Sequence, residues 1–143
     1  MATNLVYRNT DSQNRVQTLA ATHAPGTPVL SIEGKPAVTV TGSGDYTKSE
    51  ASFYAPATVS GIPAGGAGLT GKQVTLAFDG TWEFDEDDIA NLSAATVVNG
   101  DIVYITGALA LTDSSSGNTL FGYVDIGPDF DRSRGMIPVR IGL

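Results

Sequence analysis

The stretch WEFDEDDIANL, residues 82 to 92, packs five of the chain's fifteen acidic residues into six positions: Glu83, Asp85, Glu86, Asp87 and Asp88. Such a cluster could ligate a divalent cation through oxygen, supply a general acid and base, or simply solvate a turn. A calcium loop of the EF-hand type needs ligands at alternate positions, Gly at the sixth and Glu at the twelfth. Counted from Asp79, those two positions are Phe84 and Ala90, and counted from Asp85 the sixth is Ala90. A glycosidase pair needs two carboxylates facing each other across a cleft, one kept protonated by an apolar pocket. Neighbouring acids on one turn diverge and stay ionised. The spacing therefore predicts exposed carboxylates at Asp85 to Asp88, on a solvated turn that opens a short helix. An adventitious ion site and an acidic contact for a partner are the alternatives.

The other motifs carry less chemistry. GAGLTGK, residues 66 to 72, begins like a phosphate-binding loop, but Gln73 stands where Ser or Thr would hold magnesium. A strand-like QVTLAF follows it, whereas the motif needs a helix whose N-terminal N–H groups converge on phosphate. GSGDYT, residues 42 to 47, has the same defect and reads as a turn. His23 is the sole histidine, with no carboxylate near it in sequence to orient the ring for base catalysis. No catalytic constellation emerges, so the expectation is a non-enzymatic protein without cofactor or metal.

The elements that must position these residues are β-strands. Only 16% of residues are charged, Gly contributes 17, and short runs rich in Val, Ile and Thr recur throughout. TPVLSIEG and KPAVTVTGSG read as strand, turn, strand. In KQVTLAFDGTWEF, Val74, Leu76 and Phe78 alternate, and Asp79-Gly80 suits a type I′ hairpin or a bulge within one long strand. DEDDIANLSAATV is the one candidate helix, about two turns long. DIVYITGALALTD, NTLFGYVDIG and MIPVRIGL supply further strands; Phe121 and Tyr123 are expected to share a face, as are Ile137, Val139 and Ile141. Pro138 lacks an N–H, which predicts an edge strand or one paired on a single side. A strand around Ala51 to Tyr54 and a Gly-rich loop over 60 to 71 complete the pattern. It implies an all-β chain: a single β-sandwich or barrel-like domain over 25–143, with an extended N-terminal arm over 1–24 and at most one short helix.

Residues 1–24 are polar and weakly patterned, so they read either as a frayed terminus or as an arm that orders on a partner. The arm reading makes Leu5, Val6, Tyr7, Arg8, Val16 and Leu19 its contact residues, held extended rather than folded back as a hairpin. The formal charge of −7, with eight scattered Lys and Arg, argues against nucleic acid. No apolar run is long enough to span a bilayer, no signal-peptide pattern opens the chain, and cysteine is absent, so synthesis in the cytoplasm without disulfides is expected.

GKQVTLAFDGTWEF, NGDIVYIT, an LTD turn, FGYVDIG and the closing IPVRIGL, in this order from about Gly34 to Leu143, resemble the small all-β capsid decoration proteins of tailed bacteriophages. The resemblance implies a non-enzymatic protein that binds the outer surface of the phage head, contacts the major capsid protein and stabilises contacts between its subunits. It further implies a homotrimer and a place in the virion. The rival expectation is a β-sandwich module recognising carbohydrate or peptide, presenting Trp82, Tyr46, Tyr54 or Tyr104 in a groove.

Overall fold

The computed structural model describes residues 2–7, 14–40, 47–50, 57–60 and 72–142, and its regular structure is β apart from two single 3₁₀ turns. A seven-stranded sheet runs in the order β1 (Ala2–Tyr7), β8 (Gly80–Asp85), β13 (Met136–Ile141), β12 (Thr119–Val124), β10 (Ile102–Ile105), β11 (Leu111–Thr112), β9 (Ile89–Ala90), and it curls into a half-barrel. A four-stranded sheet has the order β2 (Asn14–Thr18), β7 (Gln73–Ala77), β4 (Pro36–Thr39), β3 (Pro28–Leu30). β5 (Thr47–Glu50) and β6 (Ala57–Ser60) pair with each other. All pairings are antiparallel except β9 with β11. Among the described residues no helix is long and apolar enough to cross a membrane.

One core joins the two larger sheets. Val38 and Ala77 of the four-stranded sheet pack with Trp82, Phe84, Val103, Ile105, Phe121, Val124, Ile137, Val139 and Ile141 of the other. Phe84 and Phe121 meet edge to face, with centroids 5.8 Å apart at 74°, a geometry that adds to their burial energy. A second cluster of Leu19, Val29, Ala37, Val74 and Leu76 lies within the four-stranded sheet and its flank. The alternation expected in MIPVRIGL holds, with Ile137, Val139 and Ile141 buried and Arg140 half-exposed.

The sandwich of strands follows the sequence, but several local expectations need correction. Asp79-Gly80 makes neither a hairpin nor a bulge. β7 and β8 belong to different sheets, and the dipeptide is the corner between them. Only Gly80 of the pair has positive φ (101°), whereas a type I′ turn needs it at both positions. The candidate helix shrinks to one 3₁₀ turn, Glu86–Asp88. Ile89 leaves it extended at φ −118°, ψ 107°, to pair with Leu111 and bury its side chain to 2% exposure, and Asn91 turns left-handed at φ 67°. Core burial outweighs the weak helical preference of two turns.

The last strand is not an edge. β13 lies between β8 and β12. Asp125 N–H donates to the Pro138 carbonyl (3.0 Å), so the residue's main-chain polar groups face the β12 side. β12 ends at Val124, so the missing N–H falls past its last ladder pair, Val124 with Val139.

The described N-terminal residues supply two strands, and these do not lie outside the β domain as an arm. β1 pairs with β8 through Leu5↔Trp82 and Tyr7↔Thr81, and β2 pairs with β7 through all five of its residues. Arg15 and Thr18 are exposed while Gln17 and Leu19 are buried at 8%. The inward alternation exists, with a glutamine at one inward position. Its Nε2 donates to Glu33 (2.9 Å) and its Oε1 accepts from Ile32 N–H (3.0 Å), which satisfies the buried amide. Arg8, the Ala51 to Tyr54 stretch and residues 61–71 of the Gly-rich loop lie outside the described residues.

Candidate functional site

The acidic turn is built as a structural element. Asp85 caps the 3₁₀ turn, its side chain accepting from Asp87 N–H (3.0 Å). Glu86 is half-buried rather than exposed: its Oε2 accepts from Ala94 N–H (2.7 Å) and Ser93 Oγ (3.2 Å), tying the turn to the 93–97 loop. A charge-assisted bond of this kind holds a loop more strongly than a neutral one. Asp85, Asp87 and Asp88 are exposed. The opposite side of that loop is clamped by Arg132, whose guanidinium donates to the carbonyls of Ala94, Ala95 and Val97 at 3.0–3.1 Å and lies 5.4 Å from the Phe130 ring. Among the described residues no group of three or more His, Asp or Glu is placed to hold a metal ion.

Glu83, the acid that precedes this turn, sits on the outer face of the large sheet with its side chain 12% exposed. Arg134 grips it with two bonds of 3.0 Å, and this pairing raises the guanidinium pKa. On the same face, Asp125 accepts from Thr81 (3.2 Å) and lies 4.0 Å from Arg140. His23 is half-buried, and desolvation lowers its imidazole pKa. Lys72, at the end of the phosphate-loop-like stretch, donates from Nζ to the Ala20 carbonyl (2.9 Å). Trp82 is in the core, with Nε1 donating to the Asp79 carbonyl (3.0 Å); Tyr104 is half-buried, and Tyr46 and Tyr54 lie outside the described residues.

What the sequence did not signal is an open groove of ≈ 470 Å³ between the middle of the large sheet and the ends of β4 and β7. Its lining includes Pro36, Phe78, Ile102, Leu120, Tyr123 and Ile141, with Lys35 and Arg140 as the charged members. Leu120 is 58% and Ile102 47% exposed, so the apolar lining continues onto the surface. A bulge creates this arrangement. The register between β10 and β12 shifts after Val103↔Gly122, so that Tyr104 faces Leu120. Phe121 is thereby turned into the core, while Tyr123 stays beside Ile102 on the groove side. Phe121 and Tyr123 do not share a face as expected, because the extra residue breaks the period of two. Gly122 permits close packing here: a Cβ would stand 2.2 Å from the Arg140 carbonyl oxygen.

Of the residues expected to contact a partner, Val16 is half-buried on β2 and Leu19 is buried among Val29, Val74 and Leu76, so neither is presented on a free arm. Leu5, Val6 and Tyr7 sit on β1, the outermost strand of the large sheet, whose far side carries no described strand. The chain matches no family model, no curated protein and no solved structure.

Proposed function

We propose that the chain is a non-enzymatic capsid decoration protein of a tailed bacteriophage, bound to the outer surface of the head and bracing neighbouring copies of the major capsid protein. The observation that carries this reading is the exposed apolar groove with Leu120 and Ile102 at its lip, a surface suited to a protein partner. Three further features support it. The ordered β motifs resemble that family, the net charge of −7 suits a protein kept away from DNA, and the described carboxylates Glu83 and Glu86 are tied into structural bonds. β1, at the edge of the large sheet, would add main-chain pairing to the contact. The protein would be made in the host cytoplasm and act in the virion, with a homotrimer as the assembled form.

The test is cosedimentation of the purified chain with empty heads assembled from the major capsid protein of the same genome. Saturable binding, external density in electron micrographs and a higher melting temperature of the heads are expected. Heads that pellet without the chain at any ratio would overturn the reading. Light scattering of the free chain tests the trimer.

A further inference from the structure

We propose that the groove seats an extended segment of the shell subunit that presents an apolar side chain beside a carboxylate, an inference that rests on the decoration reading. The sign of the charge is the first argument. The chain carries −7 overall, yet the two charged side chains lining the groove, Lys35 and Arg140, are both cations, with Arg140 standing 4.0 Å from Asp125. With Arg140 balanced by Asp125, Lys35 is the charge that favours an anionic group at its end of the groove. Shape is the second. The apolar lining begins at Phe78 and Tyr123 and runs outward past Ile102 to Leu120, which is more than half exposed. An apolar side chain would bury itself against these four, and a neighbouring carboxylate would reach Lys35. Exposed Leu and Ile at a lip are what a covering segment would remove from water, at about 25 cal/mol per Å².

Two measurements test this. In cosedimentation with heads, Leu120→Asp should weaken binding at least tenfold, since it places a charge at the apolar lip. Lys35→Glu should weaken it roughly two- to fivefold at low salt, with the difference closing at high salt. Leu120 and Lys35 are exposed, so both variants should melt with the wild type. Independently of heads, NMR titration of the wild-type chain with acetyl-Leu-Asp-amide should shift Ile102, Leu120 and Tyr123, and acetyl-Leu-Lys-amide should shift them at least about threefold less at equal concentration. Variants that bind heads like the wild type would overturn the groove assignment and leave the decoration reading standing. A wild type that ignores heads would overturn the decoration reading and with it the shell subunit as occupant, and an absence of shifts with the acidic probe would overturn the groove's preference for an apolar residue beside a carboxylate as well. Equal shifts with both probes would overturn the charge argument.

Discussion

Leu19→Ala separates a strand of the fold from a detachable arm. Leu19 follows β2, is 8% exposed and packs with Val29, Ala37, Val74 and Leu76, while its N–H donates to the Lys72 carbonyl (3.1 Å). The substitution removes three carbons, worth about 0.8 kcal/mol each in transfer energy, or about 2.4 kcal/mol. The void left among those neighbours adds a cavity term, which brings the expected loss to about 3 kcal/mol. For a chain of this length roughly 4 °C of melting temperature accompanies each kcal/mol, so a fall of about 12 °C is expected. Differential scanning calorimetry on the full chain reads it directly. Ile32→Ala, at a side chain 70% exposed on the β3–β4 turn, is the control and should move stability by less than about 0.5 kcal/mol. If Leu19→Ala melts within about 1 °C of wild type, the segment through β2 does not belong to the cooperative unit and the packing argument fails.

Gly122→Ala should destabilise by about 3 kcal/mol or prevent folding, because the new methyl would collide with main chain at Arg140; urea unfolding measures it, and a wild-type midpoint would contradict the close approach. Glu86→Ala should cost about 1–3 kcal/mol by stranding the Ala94 N–H, whereas the double change Asp87→Asn, Asp88→Asn should stay within about 0.5 kcal/mol, both read by thermal melts. Asp131 caps the 3₁₀ turn Arg132–Arg134, and the bond from Ser133 lowers its carboxyl pKa from the ordinary aspartate value. A lowered folded pKa adds stability that is complete above the unfolded value and lost as pH falls through the folded one, so Asp131→Asn should flatten acid unfolding only below about pH 4.

Where side chains obey a period of two, the sequence showed the strands correctly. The β3–β4 hairpin was legible because Gly34, at φ 76°, closes a turn between two β-branched runs, with Ser31 Oγ accepting from the N–H groups of Glu33 and Lys35. β2 was not, because its inward Gln17 looks like a surface residue until the 31–35 turn, distant in sequence, supplies its partners. The same limit governs Asp79-Gly80. A turn dipeptide announces a reversal or a corner with the same two residues, and only the pairing of β7 with β2 and β4, and of β8 with β13 and β1, tells which. Such information is held in long-range ladders rather than in neighbouring residues.

The groove was hidden for a related reason, which also bears on how it works. In NTLFGYVDIG, a strict alternation groups Phe121 with Tyr123 and Leu120 with Gly122, which would place both aromatics in the core and leave a bland exterior. One bulged residue in β12 undoes both groupings. It delivers Phe121 against Phe84 and leaves Tyr123 and Leu120 outside with Ile102, so a single local irregularity fills the core and builds an apolar exterior at once. An irregularity of this kind holds only if neither alternative register is better. A slip that restored alternation would pull Phe121 away from Phe84 and press a different residue against the Arg140 carbonyl, where only glycine fits. The core therefore pins the bulge, and the pinned bulge keeps Leu120 exposed against the hydrophobic drive to bury it.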